Sequence, residues 1–182
     1  MTLKAIDVAK YVLSLTDTEK GQVISNLALQ KLLYYCQGYY LAFTDGKEPL
    51  FEEDIVAWKY GPVVESVYYE YKDRGCEALP NIKLTKEEKQ QFSGLQKKVI
   101  EFVIKNYSKY SAIGLMEKTH SEMPWRDSKK NAIIDIEKIT SFFKLKVSNI
   151  AEMLFIKKSK EIVDNLTQEE IDKLPEYKFK YI

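Results

Sequence analysis

The chain has 182 residues, 45% of them hydrophobic and 30% charged, with 28 basic against 27 acidic side chains and a net charge of +1. That size and composition suit one sizeable soluble domain and exclude wholesale disorder. The charge balance gives no general electrostatic reason to bind nucleic acid or an anionic membrane, and arginine, the preferred residue for bidentate phosphate and base contacts, occurs only at Arg74 and Arg126.

The elements follow in chain order. Ala5, Val8, Ala9, Val12 and Leu13 recur at helical spacing and predict an amphipathic helix over about 3–15. Polar residues 16–25 predict a loop, and Asn26 is placed to cap the next helix. In that helix Leu29, Leu32, Leu33, Cys36, Tyr40 and Phe43 form one apolar stripe, ended by the turn chemistry of Asp45-Gly46. Gln30 is placed to bond loop backbone. Residues 55–60 are β-branched and aromatic and predict a short strand, with Val56, Trp58 and Tyr60 on one face and Lys59 on the other.

Gly61-Pro62 is expected to break the strand, with the proline opening a helix that ends near Gly75. Residues 79–84 are extended and placed to pair with the first strand. Thr85 with Glu88 is a capping box, opening a helix of about 20 residues. Ser111 caps a short helix to Thr119, residues 120–127 predict an ordered loop, and Asp135 caps a helix with Ile136, Ile139, Phe142 and Phe143 inward. Residues 148–163 predict a Lys/Glu-rich helix, and Thr167 with Glu170 a further capping box. The fold class is therefore mainly α, α+β with minor β: a compact helical bundle with a short strand pair or hairpin. The predicted organisation is one domain over 1–144 and a C-terminal helical extension over 145–182, packed on it or trailing from it.

No secretory leader is visible at the N-terminus, and no run approaches the roughly 20 apolar residues of a membrane span. Cys36 and Cys76 form no CxxC pair and read as reduced thiols. A cytoplasmic protein is expected.

Four blocks then carry a resemblance. NLALQKLLYYCQGYYLA, PLFEEDIVAWKYGPVVESVYYEYKDRG, THSEMPW and IDIEKITSFF stand in order, and together they resemble the Panacea (SocA-like, phage-associated GepA-like) antitoxin domain over roughly residues 4–144. Cys36 stands where that family commonly has a small residue and Tyr39 where it commonly has Trp. The resemblance implies an antitoxin of a type II toxin–antitoxin system, neutralising by direct contact a toxin encoded in the adjacent gene. Its alternatives are an adaptor that delivers a toxin to a protease, or a phage-encoded protein that counters a host defence toxin. Many relatives add a DNA-binding segment, and no helix-turn-helix candidate is present here.

The residues themselves point to binding rather than catalysis. Trp58, Lys59, Tyr60, Gly61 and Pro62 are candidates for a partner-binding patch, since Trp and Tyr give large contact area at low entropy cost. The competing reading puts Trp58 and Tyr60 in the core. Tyr35 and Tyr39, at i and i+4 on the flank of the aromatic helix, are either a sticky ridge or part of the packing. His120 and Trp125 complete the candidate set. His120 is the single histidine, it has no metal-ligand pair at suitable spacing, and Cys36 on an apolar stripe is a poor nucleophile. Glu122 is placed to pair with it. No phosphate loop, nucleophile elbow or HExxH motif occurs. No enzyme activity, cofactor or metal is expected, and no membrane or nucleic-acid partner.

Overall fold

The computed structural model describes residues 2–16 and 23–149. The chain divides after Lys144 into two units, each taken by itself. In the second, residues 145–149 are helical. The expected helix 148–163, apart from Ser148 and Asn149, and the capping box at Thr167 lie outside the described residues.

The first unit is mainly helical, with a single two-stranded antiparallel sheet among its described residues. Its centre is α2 (Asn26–Phe43), in which every residue but Leu27, Ala42 and Phe43 is buried. The apolar stripe foreseen on one face has become burial on all sides, as expected of a helix at the centre of a bundle. Helices α1 (Ala5–Ser14), α5 (Gly94–Tyr107) and α6 (Ala112–Ser121) surround it, together with helical residues 136–144. Phe143 from the last of these crosses α2 where Gly38 leaves room, because a Cβ at Gly38 would run into the Phe143 ring. Tyr34, Tyr35 and Tyr39 pack their rings edge-on to Phe143, and Tyr35 stacks on Tyr107 at 4.0 Å. Each buried side chain of this size stabilises the fold by about 1.5–3 kcal/mol relative to exposure.

Local signals explain most element ends. Ser25, not Asn26, caps α2, accepting from the Ala28 N–H. Asn26 lies just inside and donates its amide to the Tyr68 carbonyl. Asp45 and Gly46 take positive φ and stop α2 as foreseen. The Thr85–Glu88 capping box forms, but it opens only the short α4 (Lys86–Gln90); a second box, Ser93 with Gln96, starts α5. The single long helix expected from 85 is thus two. Ser111 caps α6 by accepting from Gly114 N–H. Residues 120–127 are not a loop: His120 and Ser121 complete α6, and Met123–Arg126 form α7 with Pro124 in its first turn. In helical residues 136–144, Ile139 and Phe143 are buried, whereas Ile136 is exposed.

The sheet also differs from expectation. Strand β1 (Val56–Trp58) pairs with β2 (Gly61–Val63) in a hairpin whose two-residue turn is Lys59-Tyr60. Pro62 therefore lies in a strand, where its missing N–H is tolerated at an edge, and α3 (Glu65–Tyr71) begins three residues later. Residues 79–84 do not pair with β1; Leu79 N–H bonds instead to the Ile24 carbonyl. The open side of β1 is covered by residues 131–134, through Asn131 N–H to Ala57 O, Ala57 N–H to Ala132 O and Ile134 N–H to Ile55 O.

Candidate functional site

The hairpin is fixed from below by α2. Gln30 Oε1 accepts the Val64 N–H at 2.9 Å, the role expected of it, and Lys31 Nζ donates to the Pro62 carbonyl at 3.0 Å. Gly61 holds φ +102, a conformation that side chains other than hydrogen rarely adopt. A Cβ there would stand 2.7 Å from Lys31 Cε and 2.9 Å from Thr119 Oγ1. Helix α2, the hairpin and α6 therefore meet at closest packing around this glycine.

From the other side α6 and α7 clamp the turn. Trp125 donates its indole N–H to the Trp58 carbonyl at 3.1 Å. His120 lies flat against Trp125, with ring centroids 3.8 Å apart and planes 7° from parallel. Burial, then the nearby Lys31 charge, hold the His120 imidazolium below its ordinary pKa, while Glu117 opposes them. The partner foreseen for His120 is engaged elsewhere: Glu122 accepts from the Tyr35 hydroxyl at 3.1 Å.

Of the nine residues singled out from sequence, seven come together here. Trp58 is half-buried and packs edge-on to Tyr68 and Tyr69. Lys59 and Tyr60 (56% exposed) form the turn, the ammonium lying over the Tyr60 ring. Gly61 and Pro62 are buried beneath it, and His120 and Trp125 brace it, half-buried. Tyr35 and Tyr39 are elsewhere, in the core with 0% and 1% exposure, and as placed offer no area to a partner. Tyr39 shares a 2.8 Å hydroxyl hydrogen bond with Tyr107.

Beside the hairpin opens a cleft of about 440 Å³, lined by Trp58, Tyr60 and Tyr68 and by four lysines, Lys31, Lys59, Lys72 and Lys130. Among the described residues no Asp or Glu lines it. Lys31 is fully buried, and burial alone brings its amine down to about 7. Sequence reasoning passed over Lys31, Lys72 and Lys130. The one signal available was a lysine inside the otherwise apolar LQKLLYY run. Cys36 is likewise fully buried, which pushes its thiol far above the ordinary range and leaves it inert. Among the described residues no group of three or more His, Cys, Asp or Glu is placed to hold a metal, and no helix is long and apolar enough to cross a membrane.

Residues 29–126, which hold α2 from Leu29 onward, the hairpin, α6 and α7, match the family described as antitoxin SocA-like, Panacea domain. The chain belongs to this family. The matched range contains the first quoted block from Leu29 onward and the whole of the second and third, while IDIEKITSFF lies beyond it. Antitoxin SocA of Caulobacter vibrioides (strain NA1000 / CB15N) is 42% identical over 64 residues, 35% of this chain. The chain covers 33% of that relative's length. No solved structure matches. In this chain the matched range is centred on α2 and carries the hairpin with its exposed Lys59-Tyr60 turn.

Proposed function

We propose that the protein is the antitoxin of a type II toxin–antitoxin pair and acts without catalysis, by docking its hairpin face on a protein toxin encoded next to it. The observation that carries this reading is the exposed Lys59-Tyr60 turn, held rigid by Gly61 from below and by Trp125 from the side. A preformed aromatic-cationic projection on a firm base is what an interface anchor needs, because little ordering entropy is lost on binding. Family membership supports a toxin as the partner.

Co-expression with the neighbouring gene product, followed by affinity purification, tests it. The wild-type protein is expected to rescue growth and retain the toxin. Lys59→Glu with Tyr60→Ala, both in the exposed turn, should weaken retention about thirtyfold, which corresponds to the ~2 kcal/mol of a modest hot spot. A neighbour that does not inhibit growth, or full retention by the double variant, overturns the assignment. Loss of toxin from cells that hold a stable antitoxin would instead favour delivery to a protease.

A further inference from the structure

The lysine cleft is not explained by an interface at the turn. Four of its lining side chains are cationic, no acid faces them among the described residues, and the chain as a whole carries a charge of only +1. The concentration is therefore local, not a reflection of a basic protein. Lys31 at the inner end is the most informative member. Its ammonium is buried, no carboxylate pairs with it among the described residues, and the Pro62 carbonyl engages only one of its three N–H donors. A buried, unpaired charge is normally avoided unless something compensates it. Three of the other lining side chains are aromatic, Trp58, Tyr60 and Tyr68, and the volume falls within the roughly 300–1,000 Å³ of small-molecule pockets.

We propose that this cleft binds a small phosphorylated ligand with a flat ring, of the nucleotide class, its phosphates on Lys59, Lys72 and Lys130 above the buried Lys31 and its ring against Trp58 and Tyr60. Lysine serves phosphate as a point charge. An aromatic wall accepts a base through its π-face whatever the base. The polar atoms of the Gln30 side chain are spent on Asn26 and Val64 and do not read the ligand. The cleft shares Lys59 and Tyr60 with the proposed toxin-docking turn, but titration of the chain without a toxin tests the ligand by itself, so either reading can fail alone.

Calorimetric titration of the full chain at low salt tests it, with ATP, GTP, adenosine, inorganic pyrophosphate and a polyglutamate peptide as separate probes. The nucleoside triphosphates are expected to bind with a Kd on the order of 10 μM and to weaken steeply with salt. Adenosine and pyrophosphate, each holding half of the recognised chemistry, should bind at least about tenfold more weakly. Lys59→Ala with Lys130→Ala, both on the surface, should weaken ATP about tenfold or more without altering the melting temperature, and Lys31→Met should weaken ATP to a similar extent. Should Lys31→Met fail to fold, the surface pair still decides. Four results overturn the proposal: no heat with either nucleotide up to about 1 mM, unchanged ATP affinity in the surface pair, pyrophosphate as tight as ATP, or binding of polyglutamate in place of the nucleotides.

Discussion

Replacing Lys31 by methionine is expected to make the domain more stable at neutral pH. The folded state lowers the Lys31 amine from its ordinary 10.5 to about 7, with burial as the cause. Below about pH 7 both folded and unfolded chains carry the charge, and the full cost of burying it is felt. Between about 7 and 10.5 the unfolded chain binds the extra proton, so stability climbs with pH. Above 10.5 both forms are neutral and the cost is gone. Integrating this difference places the cost at about 4 kcal/mol at pH 7 and about 2 kcal/mol at pH 9. Methionine keeps the length of the side chain but leaves the Pro62 carbonyl without its donor, which costs about 1–3 kcal/mol. The net expectation at pH 7 is a gain of about 1–3 kcal/mol, shrinking by about 2 kcal/mol by pH 9. Urea melts of both proteins across that window measure it, and the difference between them isolates Lys31. His120, which feels the Lys31 charge, titrates below 6.5 and stays outside the window, as do the raised phenols of Tyr34, Tyr35 and Tyr107. A variant less stable than wild type at pH 7, or a difference that does not change with pH, would refute the account of a costly buried ammonium.

Two further outcomes follow from the hairpin. Gly61→Ala should destabilise the domain by about 3 kcal/mol, adding strain at φ +102 to a clash with Lys31 Cε and Thr119 Oγ1. Thermal denaturation checks this, and an unchanged midpoint would mean that the turn relaxes freely. Trp125→Phe removes the indole N–H from the Trp58 carbonyl and weakens the stack on His120, so it should cost about 1–2 kcal/mol. The His120 resonance, followed by NMR titration, should also move towards the ordinary imidazole range as solvent reaches the ring; no movement would assign the shift to Lys31 alone.

Much of this architecture was legible where the signal was local. The capping roles of Thr85 and Ser111 and the stop at Asp45-Gly46 depend on residues within one turn of each other, and they formed as the sequence predicted. The second capping box went unread because a helical period runs on through Phe92 and Leu95 across the break at Ser93. The strand pair was foreseen, but its second strand was placed at 79–84 instead of 61–63 for a similar reason. Its turn, Lys59-Tyr60, contains neither Asn nor Gly, the left-handed glycine comes one residue later, and Pro62 argues against a strand. Seven of the nine candidate residues met because they come from two segments that the fold presses together. Tyr35 and Tyr39 did not join them, since periodicity shows that a helix has an apolar face but not how many neighbours will cover the rest. The lysine cleft could not be read at all. Its members are spread over a hundred residues of sequence, and a net charge near zero averages them away.

A central helix without a wet side has a consequence for how this molecule comes into being and is lost. Taken alone, α2 would expose leucines and tyrosines on most of its sides. Its burial depends on α1, α5 and α6 together. Trimming the chain back into α1, or ending it before α6, should therefore yield aggregates rather than a smaller working bundle. A protease that frees either wrapper would destroy the whole unit at once.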